Sequence, residues 1–161
     1  MELKVYADNT GSGKWTVYSR ATAVELGACS VVAVYNQHGF LMSNISPDGN
    51  REAPAAARLC QEYSRVKESL FCNEPVMLWI LYEQENPEKG GSIRAAMQSV
   101  RAVQAFEQVY SGESFMAKTK DAGAQFSLTF SAGVVRATMH RQDGMGSAIP
   151  LSGGRSIVLC T

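Results

Sequence analysis

Four cysteines and two histidines are the residues of this 161-residue chain best equipped for chemistry. Cys29 stands apart from the rest. It follows Leu26-Gly27-Ala28 and opens the apolar run Cys29 to Tyr35, CSVVAVY. A strand fixes such a sulfur, and a small-residue turn before it leaves room for a substrate. The backbone N–H groups of Gly27, Ala28 and Cys29 are then candidates to hold the oxyanion formed when a thiolate attacks a carbonyl. A thiolate needs a partner, usually a histidine. His38 and His140 are the two options. A tight turn at residues 36 to 39 would leave His38 on the order of 20 Å from Cys29 at strand rise. The stretch Asn44 to Ser46 comes level with the sulfur instead, which makes Asn44 a candidate substrate contact. The plainer alternative is that Cys29 is a small buried hydrophobe and His38 a solvated turn residue.

Other chemistries fit poorly. Cys60 falls on an apolar helical face and reads as core, Cys160 belongs to a terminal apolar strand, and Cys72 sits just past the helix without a role. No His or Cys pair has the short spacing of a zinc site, so no metal is expected. Asp48-Gly49-Asn50 is a turn fragment lacking the closing Glu of a calcium loop. Thr10-Gly11-Ser12-Gly13-Lys14 suggests a phosphate loop, but Asp8 and Trp15 stand where a Gly and a Ser or Thr belong. A surface loop is the better reading, and no cofactor is expected.

Composition narrows the partners. Fifteen Lys plus Arg balance fifteen Asp plus Glu, a formal net charge of zero. Nucleic-acid and membrane-surface binders normally carry a basic excess, so neither is expected. No segment reaches the roughly 18 apolar residues that span a bilayer. The start, MELKVYADNT, lacks the apolar region of a secretory signal. Folding in the cytoplasm with reduced thiols is the expectation, or export by a route that reads no cleavable signal.

The elements that must position these residues follow from hydrophobic periodicity. Short strands are expected at Leu3 to Tyr6 and Trp15 to Ser19, then a hairpin of Cys29 to Tyr35 with Phe40 to Ser46. A helix follows, with Pro54 in its first turn and Leu59, Cys60, Tyr63, Val66 and Leu70 on one face. Val76 to Tyr82 is a central strand. Ser92 caps a second helix whose apolar face, from Ile93 through Val103 to Tyr110, runs up to Gly112. Gln125 to Ser131 and Val134 to Arg141 alternate and should pair around Ala132-Gly133. Gln142 to Gly154 is irregular, and a last strand covers Ile157 to Cys160. The expected fold is a single α+β domain over residues 1 to 161: a sandwich with a mostly antiparallel sheet and two main helices on one face.

Glu25 to Tyr35, ELGACSVVAVY, resembles the cysteine strand of the CheD family of chemoreceptor glutamine deamidases. That family has a Leu-Gly-Ser-Cys-Val-Ala-Val-type segment, a turn, and a returning strand ending in Pro. Gly39 to Pro47, GFLMSNISP, occupies the returning strand's place here. The later order of helix, apolar strand, Gly-Gly, helix and strands is also similar, over roughly residues 24 to 140. The architecture is shared with the cytotoxic necrotizing factor deamidases. The resemblance implies Cys29 as the nucleophile in hydrolysis of a protein glutamine amide through a thioester, with histidine as base. The family's histidine lies on the returning strand, where this sequence has Ser43 or Asn44, so His38 or His140 would have to supply the imidazole.

Three functions follow as expectations. The first is a cysteine-dependent protein glutamine deamidase, a bacterial effector or regulatory enzyme. The second is a non-catalytic protein-binding module, such as an immunity or adaptor protein, docking through residues 125 to 141 or the acidic loop Glu83 to Gly91. The third is a small cysteine hydrolase with an open cleft. Each implies a protein or small-molecule partner, and none sets an oligomeric state.

Overall fold

A computed structural model describes residues 1–27, 29–46, 51–83, 106–110, 124–141 and 149–151. The chain is sheet-rich α+β, with mostly antiparallel strands in two sheets. The first sheet has the order β1 (Glu2–Val5), β3 (Arg20–Ala23), β8 (Ala124–Ser131), β9 (Val134–Arg141), β10 (Ile149–Leu151). The second runs β2 (Asn9–Lys14), β5 (Gly39–Ile45), β4 (Ser30–Tyr35), β6 (Met77–Glu83), β7 (Phe106–Tyr110). One helix, α1 (Glu52–Val66), is present among the described residues.

Alternation along β4 explains the layering. Successive side chains point to opposite faces of a strand, so a strand apolar throughout needs a core on each side. Val31, Ala33 and Tyr35 enter a core shared by both sheets, together with Phe40, Met42, Trp79, Phe126 and Met139. Val32 and Val34 face the other way, into a core with Leu41, Ile80 and the buried face of α1, where Leu59, Cys60, Tyr63 and Val66 recur at helical spacing. The β4–β5 hairpin is therefore covered on both sides, and every residue from Ser30 to Asn36 is buried.

Gly39 opens the returning strand where the chain has no spare room. A β-carbon there would lie 2.6 Å from the Gly13 carbonyl oxygen on β2 and 2.6 Å from Leu70 Cδ1. The carbonyl cannot move without breaking the β2–β5 ladder, in which Lys14 pairs with Gly39. Gly39→Ala should therefore lower stability by about 2 kcal/mol, within the range for overpacking, measured as a shift in urea midpoint at unchanged slope.

Several expected elements differ. Residues 106–110 form β7, parallel to β6, where the helix from Ser92 was expected to continue. Phe106, Val109 and Tyr110 are residue types that suit a strand, and tertiary pairing with β6 outweighs the helical spacing of the apolar positions. The rest of that helix, the Glu83 to Gly91 loop beyond Glu83, and the strand expected at Ile157 to Cys160 lie outside the described residues. Asn9–Lys14, expected as a surface loop, is edge strand β2. Trp15 to Val17 turns instead of forming a strand, and the strand begins at Arg20. Trp15 is buried, with its indole N–H donated to the Asn36 carbonyl at 2.9 Å.

Two buried tyrosines set a limit on alkaline stability. Desolvation pushes the Tyr35 hydroxyl above its usual pKa, and the Trp79 indole N–H, donated to it at 3.1 Å, offsets part of this. Desolvation raises Tyr63 as well. A folded-state pKa above the unfolded one means that the contribution to stability is full below the unfolded value and is lost as pH rises through the folded one. Thermal midpoints should thus fall above about pH 10, the ordinary tyrosine value, and Tyr63→Phe should flatten the fall.

Candidate functional site

Cys29 lies just before β4, buried at 7 % exposure, in the core between the sheets. It is not in a disulfide. The turn that delivers it is built from Glu25 and Gly27, whose φ values of 55° and 49° lie in the left-handed region. Glycine adopts that conformation without the β-carbon penalty. The Leu26 N–H is donated to Ala124 at 3.0 Å, and the Cys29 N–H to the Leu26 carbonyl at 2.5 Å. The Cys29 amide is thus committed to the turn and does not serve as an oxyanion donor in this conformation. Ala28 lies outside the described residues.

Asn44 shares the face of the second sheet that carries Cys29. The register pairs Val31 with Asn44 and Ser30 with Ile45, and alternation places Cys29, Val31 and Asn44 on one side. Asn44 is 1 % exposed. Its side-chain N–H groups are donated to the Val5 carbonyl at 3.1 Å and the Val24 carbonyl at 3.0 Å. Those carbonyls belong to β1 and to the residue after β3, so one amide ties the two sheets together. Its Oδ1 is buried without a hydrogen-bond partner. A side chain held in this way braces the core and offers its N–H groups to no substrate.

Neither histidine meets Cys29. His38 lies in the β4–β5 turn, at the opposite end of β4, on the order of 20 Å away at strand rise. Its Nε2 is 2.9 Å from Glu74 Oε2. His140, on β9, pairs in register with Gln125. Ala137 and Met139 enter the core, so alternation turns His140 to the outer face of the first sheet. There its Nε2 meets Ser127 Oγ at 2.7 Å, Ser127 meets Thr22 at 2.9 Å, and Thr22 is donated to Glu2 at 3.0 Å. The sheet itself separates this chain of hydrogen bonds from Cys29.

A different group converges around His38. A cavity of about 300 Å³ is lined by Lys14, Trp15, His38, Leu70, Cys72 and Phe130, among others. Trp15 and Phe130 stack with ring centroids 5.6 Å apart and planes 6° from parallel. Cys72 is exposed and carries a free thiol. Sequence spacing could not associate it with His38, because only the contact of the segment after α1 with the hairpin places both on the wall of one cavity. That contact is fixed by Asn36 Nδ2, donated to the Phe71 carbonyl at 3.0 Å. Cys60, expected as a reduced core residue, is buried but disulfide-bonded; chain spacing carries no information on which sulfurs approach in space.

Among the described residues, no group of three His, Cys, Asp or Glu could hold a metal ion. None of the described helices is long and apolar enough to cross a membrane. Compared with known proteins, the chain matches no family model and no curated sequence.

Proposed function

We infer that the chain is a protein-binding module in which Cys29 is structural. The observation that carries this reading is the pairing of Cys29's face with Asn44 instead of an imidazole. General-base activation of a thiol needs the base within hydrogen-bond reach or one water away. The chain has two histidines, and both are engaged elsewhere, with Glu74 and with Ser127. An amide has no proton-accepting role at neutral pH and cannot replace them.

A docking face is available at the hairpin-tip end of the molecule. Val17 and Val134 are 54 % and 47 % exposed, and with Met1 and Tyr6 they are the exposed large hydrophobic residues among those described. Val17 follows Trp15, which stacks on Phe130 of β8, and Val134 begins β9 across the tip from Ser131. Val17 and Val134 therefore flank one end of the β8–β9 hairpin, where a protein partner would cover them.

The rival reading is glutamine deamidation by Cys29, favoured by its place after the Gly27 turn and by the resemblance to CheD. Iodoacetamide labelling of the native protein separates the two. Cys29 should label much more slowly than Cys72 at every pH, and a Cys29→Ser variant should retain a partner that Val134→Asp with Val17→Asp loses. Rapid labelling of Cys29 below pH 7, or ammonia release from that partner that disappears in Cys29→Ser, would establish the deamidase instead.

A further inference from the structure

Strand β2 closes the second sheet on one side, and no strand of the described residues pairs with its outer edge. The register to β5 fixes which backbone groups lie on that edge. Trp15, the residue after the strand, donates its N–H to the His38 carbonyl at 3.1 Å, one step beyond the Lys14–Gly39 pair. Backbone groups of successive residues alternate in direction along an antiparallel strand. Gly11 and Gly13 therefore bond to β5, while Thr10, Ser12 and Lys14 turn their N–H and C=O groups outward. The Thr10 and Ser43 hydroxyls, 2.8 Å apart, agree with this phase, because opposed side chains come closest in a non-hydrogen-bonded pair.

Natural sheet edges are guarded by proline, inward-pointing charge, a bulge or a covering segment. The sequence of β2, NTGSGK, has no proline, and its one charge, Lys14, stands at the end. Thr10 and Lys14 are exposed. Leu3 and Val5 cover the face toward the first sheet at Gly11, where a β-carbon would lie 2.8 Å from Leu3 Cδ2 and 2.9 Å from Val5 Cγ2. The edge itself is left as the place where a strand can add. Two groups at its ends are already used. The Lys14 carbonyl accepts the N–H groups of Val17 and Tyr18, both at 3.0 Å, and the Asp8 N–H is donated to the Asn44 carbonyl at 2.6 Å. An added strand must ask nothing of either.

We propose that the strand added here is β2 of a second copy of this chain, antiparallel and related by a two-fold axis at Gly11. This surface is separate from the hairpin-tip face described above and does not depend on it. In that register Thr10 of each copy faces Ser12 of the other, and the two exchange both backbone hydrogen bonds. Lys14 faces Asp8 of the second copy, and the bond this pair lacks is the one between the two groups already engaged. Free and used groups on one edge thus complement themselves, as an isologous contact requires. An axis at Ser12 would instead set Thr10 against the occupied Lys14 carbonyl. Gly11 meets its own copy on the axis, where Cα atoms approach to about 4.5 Å, and neither carries a side chain to obstruct it. The ammonium opposite the carboxylate is a favourable cross-strand pair. Arg51 already shares the Asp8 carboxylate, so the backbone ladder carries the contact more than charge does.

A contact built on one short strand is smaller than a standard interface, so the dimer should dissociate on dilution. Sedimentation equilibrium of the full chain should show a monomer–dimer equilibrium, and amide hydrogen exchange should report which groups close it. The N–H groups of Thr10, Ser12 and Lys14 should gain protection as concentration rises, while those of Gly11 and Gly13, already bonded to β5, should not change. Ser12→Pro removes an outward N–H and no hydrogen bond of the monomer. It should weaken association by at least about tenfold, since one hydrogen bond is lost from each copy. Val134→Asp, at the hairpin-tip face, should leave the dimer intact, which separates the two surfaces. A chain that stays monomeric up to about 1 mM would assign the edge to a strand of another protein and overturn the proposal. A dimer unchanged by Ser12→Pro would overturn it too. If Ser12→Pro does not fold, the unsubstituted chain decides: protection that does not alternate along β2 places the contact elsewhere.

Discussion

Replacing Asn44 by aspartate is expected to cost at least about 3 kcal/mol, the level for an uncompensated buried charge. The residue is 1 % exposed, and its two N–H groups are donated to the carbonyls of Val5 and Val24. Aspartate has the same shape without the donors. Both carbonyls would face a carboxylate in place of an amide, and each buried acceptor left unpaired adds about 1–3 kcal/mol. Because those carbonyls belong to the first sheet and Asn44 to the second, the damage falls on the joint between the sheets. Acid should partly rescue the variant, since protonation removes the charge and returns one O–H donor. Burial raises the carboxyl's pKa, so the deficit should be smallest at low pH and grow as pH rises. Asn44→Ala, which removes the donors without adding charge, should lose less and show no such rescue. Urea unfolding at a series of pH values distinguishes them; equal losses for the two variants would show that Asn44 merely fills space.

Phe40→Ala has a comparable expected effect for a different reason. Phe40 is fully buried, and its ring lies 4.8 Å from Trp15 and 5.8 Å, edge-on, from Tyr18. Truncation of such a ring typically costs 3–5 kcal/mol, or roughly a 10 °C drop in Tm for a domain of this size. Trp15 should move with it. Its indole is anchored at one edge to the Asn36 carbonyl, so loss of Phe40 frees one face of the ring while that hydrogen bond remains. A red-shifted tryptophan emission before the main unfolding transition would report it. Trp15 also stacks on Phe130 in the cavity wall, and Phe40→Ala should therefore alter Cys72 labelling at a distance. Phe40→Leu, which keeps most of the volume, should preserve both readouts.

Much of the fold was legible where local pattern and tertiary demand agree. CSVVAVY and VMLWILY are apolar on both faces and became β4 and β6, buried between two cores. The alternation around Ala132-Gly133 became the β8–β9 hairpin, whose turn residues hold φ values of 50° and 76°. Such a two-residue turn suits the twist of the strands that it joins. Trp79, within the strand expected at Val76 to Tyr82, is 3 % exposed. The periodicity of α1 was visible for the same reason: Leu59, Tyr63 and Val66 need a surface to cover, and the second sheet provides it.

Legibility stopped where the deciding contact is distant in sequence. Asn9–Lys14 is polar and glycine-rich, yet it pairs with β5 because residues 39 to 44 offer an unpaired edge. Residues 106–110 pair with β6 despite apolar spacing that also fits a helix.

By itself, the sequence determined the hairpin that begins near Cys29 and turns at His38, and so the separation of those two residues. A strand's rise per residue is nearly constant, and that separation needed no further information. Only the tertiary structure decided what each residue meets. It set Asn44 as a brace between sheets, turned His140 outward, and brought Cys72 to the cavity of His38, with Glu74 bonded to the imidazole. Local pattern sets which way a side chain points along its own strand; which partner waits there depends on how the chain returns.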